Sequence, residues 1–456
     1  MKDKKEGGIT FEKVPKTTDN NWKAKAVSRQ TTIRTQSKRI EELESSRDLW
    51  KSKYKVLKSS QKVEVSFCGK KAKKHQYSLL LILLLVKWQK YGRMSLRSCR
   101  HCLLELSLVL GLNIRIPSHV SIRWWVCKCG YYRVEKKPLD RLPYVVYIDE
   151  SIIVGGEKVL LILGVLESEI DYQKGLEFSK MEVLFVGSSG SWKGDRITKI
   201  FGDIAQYYLL SYVVSDNGTN LKNACHGSSY TQIEDCTHYL ANILKGIYKG
   251  DMHFECFSKS VNSLRKNWFL SKEKSFYLPP TQRGKVRFAN IFPVVNWASK
   301  QLEKWAEIPE SVQKDLSFLE QYRELIAQLM SLENTVGQIC EILKNGGYSL
   351  ENKGKLEAIL SKQKHTVFRQ KVGEYLERLE EKRGILNREN IVCCSDIIES
   401  FFGKFKLKID NNSPKKMTDF MYTIANFGKE FTEAEIKYAL ETIQISDLKS
   451  SKSKQK

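Results

Sequence analysis

Two aspartates stand where apolar runs end: Asp149 follows residues 144–148 in YVVYIDES, and Asp216 follows residues 207–214 in YVVSDNGTN. Short, continuously apolar runs read as buried strands, and neighbouring strands can bring their ends together. Two close carboxylates repel each other unless a cation lies between them. Hard divalent cations take oxygen ligands, and Mg²⁺ or Mn²⁺ is often held by a few carboxylates, waters and phosphate oxygens. Two such ions, about 3.5–4 Å apart, activate a water and stabilise the leaving oxygen in phosphodiester cleavage. Either aspartate alone reads more simply as the start of a turn; the pair on this strand order favours the metal site. A third carboxylate is expected from a helix beside the sheet. Glu399 in SDIIESFFGKFK lies at the edge of a stripe made by Ile398, Phe401, Phe402 and Phe405, and Lys406, two turns on, could contact a phosphate. An ordinary surface glutamate is the plain alternative, and Asp396 is the next candidate.

The elements that must position these groups follow from the pattern. Residues 158–165 form a second apolar run after a Gly155-Gly156 turn, giving a hairpin with the first. Residues 181–186 read as a third strand, 192–206 as a helix, 207–214 as a fourth strand, and 232–235 as a small fifth strand before a helix from about Cys236. This order implies an α/β domain with a mixed sheet flanked by helices over residues 140–245. Residues 246–390 carry long charged amphipathic stretches, such as 312–332 and 366–386, and read as a helical subdomain. Residues 391–410 supply one more helix. Residues 411–456 read as short helices and a basic tail.

The front of the chain is expected to touch nucleic acid. Residues 1–30 read as a disordered basic tail. Residues 31–65 carry a heptad-like seam, with Ile33, Ile40, Arg47 and Tyr54 at one position and Gln36, Leu43, Trp50 and Leu57 at the other. That pattern suits a coiled coil joining a homodimer or higher homo-oligomer; a lone helix packed within the chain is the alternative. Residues 70–135 read as helix, helix ending at Gly111, short turn, then a helix from Ser118, the helix-turn-helix plan. His119, Ser121 and Arg123 would then face base edges. A plain helical bundle would show the same pattern.

The strand order, with Asp on the first strand, Asp after the fourth and Glu on a later helix, resembles the RNase H-like fold of DDE transposases and retroviral-type integrases. In TQIEDCTHYLANILK, Asp235 and His238 match the Cys/Asp-x-x-His motif of many cut-and-paste transposases. Some of those families place a helical insertion before the catalytic Glu, where this chain has residues 246–390. MSLRSCRHCLLELSLVLGL and IPSHVSIRWWVCKCGYY are similar to the DNA-binding region of bacterial insertion-sequence transposases. The resemblance covers residues 75–410. It implies a DNA transposase that binds element ends, cuts and joins strands, and uses His238 to orient a catalytic group or phosphate. The rival expectations are an inactive or repurposed DNA-binding descendant of a transposase, and an RNase H-like nuclease that cuts without joining.

Charge agrees with a polyanionic partner. The 456 residues carry a formal net charge of +24, which attracts nucleic acid. Residues 1–75 hold 21 Lys/Arg against 9 Asp/Glu, half of that excess. The most apolar run, residues 77–86, falls short of the about 20 residues of a bilayer span, so no membrane partner is expected. Eleven cysteines and a polar N-terminus suggest reduced thiols in a cytoplasmic setting at the nucleoid. Cys99-x-x-Cys102 and Cys127-x-Cys129 fall on expected helices and read as packing, not as zinc ligands. Trp268, Trp297 and Trp305 could stack on an unpaired base, though core packing explains them better.

Overall fold

The computed structural model describes residues 19–59, 69–92, 94–152, 156–281, 291–412 and 419–448. The chain divides into two compact units, residues 1–66 with 107–113, and residues 67–106 with 114–456. In the first, α1 (Asp19–Ser59) is one helix of 41 residues. It begins inside the segment expected to be disordered, because residues 19–30 contain neither Pro nor Gly and continue the helical run; residues 1–18 lie outside the described ones. Ile33, Ile40 and Leu43 on the heptad seam are all more than half exposed.

In the second unit, α2 (Leu79–Tyr91), α3 (Leu96–Val109) as far as residue 106 and α4 (His119–Glu135) follow the expected order. Ser78, Ser95 and Ser118 each accept a backbone N–H of the first turn, from Leu81, Ser98 and Ser121, as good N-caps do. After α3 the chain reverses at Gly111, whose φ of +61° suits a residue without Cβ.

The sheet contains β1 (Pro143–Ile152), β2 (Lys158–Leu166), β3 (Glu182–Ser189), β4 (Leu209–Ser215) and β5 (Gln232–Glu234), with α5 (Gly194–Ala205) between β3 and β4 and α6 (Thr219–Gly227) between β4 and β5. The order is β3-β2-β1-β4-β5. β1 and β2 are antiparallel, as are β2 and β3, whereas β1–β4 and β4–β5 are parallel. β1 runs past Asp149 to Ile152 because its pairing with β2 continues to Lys158, so Asp149 lies within the strand and not at its end. Both sheet faces are covered, which explains the unbroken apolar runs. Val146, Ile148, Leu160 and Ile162 pack with Ile197 and Phe201 of α5 and Leu221 of α6. Val145, Tyr147, Leu161, Tyr212 and Val214 enter the main core on the other face.

That face meets α7 (Cys236–Tyr248), followed by α8 (Met252–Trp268), α9 (Phe292–Glu303), α10 (Glu310–Leu316), α11 (Arg323–Gly346), α12 (Leu350–Ser361), α13 (Thr366–Leu386) and α14 (Asp396–Asn412). The amphipathic stretch 312–332 is two helices, α10 and α11, separated by a 3-10 segment, Ser317–Tyr322. α13 buries Phe368, Val372, Tyr375, Leu376 and Leu379, the face its spacing indicates. Trp268 and Trp297 are buried, their indole N–H groups donating to Asp315 Oδ2 and the Tyr277 carbonyl, so neither offers a stacking surface. Among the described residues no helix is long and apolar enough to cross a membrane.

The chain closes with a 3-10 helix, Asp419–Phe427, and α15 (Glu433–Thr442); the Lys/Ser tail from residue 449 lies outside the described residues. This closing segment covers α4. Arg123 pairs with Asp419 at 2.7 Å, and Asn426 Nδ2 donates to the Val126 carbonyl at 2.9 Å. The buried residues of α2, α3 and α4 belong to the main core. α4 buries Ile122, Trp125, Val126, Cys127 and Cys129, leaving His119 and Ser121 half-buried and Arg123 engaged with an acid. Residues 419–427 lie on one face of α4, a contact that nothing within residues 118–135 announces. Gly130 marks the closest approach: a Cβ there would overlap the Tyr422 carbonyl. Gly130→Ala is expected to lower stability by about 1–3 kcal/mol, as overpacking does, measured by denaturant unfolding.

Candidate active site

Strand periodicity aims the first two carboxylates. Side chains alternate across a strand, so Asp149 shares a face with Val145 and Tyr147, and Asp216 shares the parity of Tyr212 and Val214. Both belong to the main-core face. Ile148 is paired with Ser215 across β1 and β4, which puts the next residues, Asp149 and Asp216, side by side on parallel strands. Burial first, then the neighbouring charge of Asp216, pushes the Asp149 carboxyl up to about 7; the Glu150 N–H it accepts and His238 pull the other way. Asp216 Oδ1 accepts the Gly218 N–H at 2.9 Å. The other oxygen, Oδ2, faces His238 Nδ1 at 4.0 Å.

Helix α14 delivers the third. Ile398, Phe401, Phe402 and Phe405 are buried, and α14 packs against β1. Glu399, at the edge of that stripe, accepts a hydrogen bond from His238 Nε2 at 2.9 Å. His238 thus stands between Asp216 and Glu399, with Asp149 beside them: four residues spread over 251 positions of sequence meet at one place. With Nε2 carrying its proton, a neutral ring turns the Nδ1 lone pair toward Asp216; a protonated ring places a positive charge between two carboxylates. Asp396, the alternative third acid, forms an ion pair with Lys344 and is not in this group. Lys406 is exposed further along α14.

Asp235 holds the arrangement together. It is 1% exposed. One oxygen, Oδ1, caps α7 by accepting the His238 N–H at 2.7 Å. The other, Oδ2, accepts both the backbone N–H and the Oγ–H of Ser395, at 2.6 and 2.9 Å. The Cys236 N–H donates to the Cys393 carbonyl at 2.7 Å. The start of α7 and the entry to α14 are therefore tied twice, fixing the helices that bear His238 and Glu399 relative to each other. Behind them, Tyr375 of α13 stacks on Tyr239 with centroids 4.3 Å apart, and its hydroxyl donates to the Glu234 carbonyl at 3.0 Å. Sequence reasoning found Asp235 as part of a motif and missed its bond to Ser395. The one local signal was a serine directly before an acidic first helical turn.

Oxygen donors dominate the site, and its electrostatics call for a cation: a carboxyl lifted to about 7 beside a second carboxylate, and the buried Asn217 Oδ1 next to Asp216 without a hydrogen-bond partner. Asp149, Asp216 and Glu399 fit divalent metal ions as ligands. They do not converge to within 4.8 Å of one another; among the described residues the trio that does is Asp235, Cys394 and Asp396. That trio is poorly suited to a metal, because both Asp235 oxygens accept hydrogen bonds and Asp396 is paired with Lys344. Cys99 and Cys102 lie on α3, and Cys127 and Cys129 are fully buried in α4, where burial holds both α4 thiols up at about 12. No protein-family model matches the chain, and no curated protein matches it.

Proposed function

We propose that this chain is a DNA transposase of the DDE type: a metal-dependent enzyme that cuts DNA at element ends and transfers the strands. The observation that carries the reading is the meeting of Asp149, Asp216 and Glu399 around His238. The β3-β2-β1-β4-β5 order, antiparallel then parallel, supports an RNase H-like catalytic domain. Helices α8 to α13, lying between α7 and α14, suit the helical insertion. The net charge of +24 suits DNA as substrate and the nucleoid as location.

In this reading Asp149, Asp216 and Glu399 hold two Mg²⁺ or Mn²⁺ ions, which supply an activated water and charge stabilisation at the scissile phosphate. His238 orients Glu399 through Nε2, and Asp235 keeps α7 and α14 in register. Lys406, exposed on α14, lies where it can meet the DNA backbone. His119 and Ser121 keep partial exposure for DNA contact, whereas Arg123 reaches DNA only by leaving Asp419. Homodimers form through the α1 seam.

The test is cleavage of labelled DNA flanking the gene by the purified chain with Mg²⁺, Mn²⁺ or EDTA, beside Glu399→Gln. Metal-dependent nicks at fixed ends, reduced at least a hundredfold in the variant, are expected. Binding without cutting would replace this reading with a non-catalytic DNA-binding protein, and cutting without joining would indicate a nuclease.

A further inference from the structure

We propose that a cavity between α2 and α14, away from the carboxylates, binds one phosphate group that still carries a proton: inorganic hydrogenphosphate or a terminal phosphate monoester. The cavity measures about 160 Å³. Its floor holds Gln89, Lys408 and Phe427, and its rim holds Lys90, Tyr91 and Lys404. Lys408 is 5% exposed, and its Nζ has no hydrogen-bond partner. The ammonium stands 5.3 Å and 5.9 Å from the ring centroids of Phe427 and Phe420, with the neutral thiols of Cys99 and Cys127 as its other neighbours. Burial lowers its pKa to about 8, so at neutral pH it remains mostly charged.

Among the described residues no carboxylate bonds to it. Glu430, the carboxylate beside the rim, already accepts from Lys90 at 2.5 Å and from Tyr91, with Lys87 3.7 Å away. The Lys90 ammonium also donates to the Gly428 carbonyl. Glu430 thus serves Lys87 and Lys90, and Lys408 Nζ shares in none of these bonds. A buried charge of this kind is held only when it is paired, and an incoming anion supplies the pair. The second unsatisfied atom on the floor refines the choice. Gln89 Nε2 donates to the Met94 carbonyl and Cys99 Sγ, and Gln89 Oε1 has no partner. That oxygen requires a donor. A water could accept from Lys408 and donate to Gln89 but would leave the ammonium charge unpaired; an oxyanion with an O–H makes both bonds and pairs the charge. Hydrogenphosphate meets both demands; sulfate and an internal phosphodiester lack the proton. Volume agrees: the cavity has room for more than one water, enough for a tetrahedral anion. Phosphate can enter past Tyr91 and Leu407, both exposed.

The proposal does not depend on the catalytic reading, and its test needs no activity. The full chain at pH 7 is titrated with inorganic phosphate by calorimetry and melted in phosphate, sulfate or chloride at matched ionic strength. Saturable phosphate binding, a melting point raised in phosphate above sulfate, and affinity weakened about tenfold or more in Lys408→Met are expected. In chloride, Lys408→Met should melt no lower than wild type, since it removes an unpaired buried charge at similar volume. Should Lys408→Met fail to fold, Leu407→Glu, which puts a carboxylate at the exposed mouth, must weaken phosphate binding instead. Equal effects of sulfate and phosphate, or phosphate binding unchanged in both variants, would overturn the proposal. Short DNA with and without a 5′-phosphate separates the sources: competition by the phosphorylated form alone assigns a DNA end, and competition by neither assigns free phosphate.

Discussion

Asp149→Asn is expected to remove metal-dependent cleavage, by on the order of a thousandfold or more, while making the metal-free protein harder to melt at pH 8. Both effects come from one charge. The Asp149 carboxyl is lifted from its ordinary 3.8 to about 7 by burial and by Asp216. Below about pH 4 it is protonated in folded and unfolded chains alike, and costs nothing. Between about pH 4 and 7 the unfolded chain ionises first, so stability falls as pH rises; above 7 the full penalty is present. A lift of this size corresponds to at most about 4 kcal/mol, less in practice because the side chain keeps some exposure. Asparagine removes the penalty without changing volume. Melting wild type and Asp149→Asn in EDTA at pH 5 and pH 8 checks this: the variant should gain on wild type only at the higher pH. Adding Mg²⁺ at pH 8 should raise the wild-type melting point and leave the variant nearly unmoved. A variant stabilised by Mg²⁺ as much as wild type would remove Asp149 from the ligands.

The two strand aspartates were legible in the sequence because period-two geometry and strand adjacency are local properties. The runs at 144–148 and 207–214 read as buried strands, and residues following paired positions on parallel strands lie side by side. Glu399 was legible at one remove: the phenylalanine stripe fixed which face of α14 is buried, hence where its edge lies. What stayed hidden joins distant positions. The bond from Ser395 to Asp235 spans 160 residues, and no periodicity within either segment announces it. The cover on α4 stayed hidden for the same reason. The capped start of α4 and its short preceding turn look like a recognition helix, and nothing within residues 118–135 says that 419–427 will lie on it. The even spread of apolar and polar residues around α4 was the available clue, since a helix without a polar face is enclosed. Lys408 sits mid-helix among charged residues, and its burial follows only from Phe420 and Phe427 closing over it.

Asp235→Ala is expected to cost about 2–4 kcal/mol in unfolding free energy and to impair cleavage beyond what that loss explains. The stability term has two parts. Loss of the α7 N-cap costs about 1 kcal/mol. The Ser395 N–H and Oγ–H, buried in the folded chain, lose their acceptor, and an unsatisfied buried donor costs about 1–3 kcal/mol. Asp235→Asn should fall between the two: its carbonyl can keep the bond to His238 N–H, but its amide then presents hydrogen to a donor at Ser395. Catalysis is affected through position. The Asp235 carboxylate bonds to the His238 N–H and to Ser395, and so ties the turn bearing His238 to the entry of the helix bearing Glu399. Released, α14 can shift by tenths of an ångström, and a carboxylate ligand placed that far off holds its ion less well. The control is Asp251→Ala. Asp251 caps α8 through the Phe254 N–H at 2.7 Å, a comparable cap without a second bond toward α14. At a temperature where both variants remain folded, Asp251→Ala should cut at the wild-type rate, while Asp235→Ala and Asp235→Asn should need more Mg²⁺ for half-maximal cleavage. If the three variants show the same metal requirement as wild type, the Asp235–Ser395 tie supports the fold alone, and Glu399 owes its position to the phenylalanine stripe.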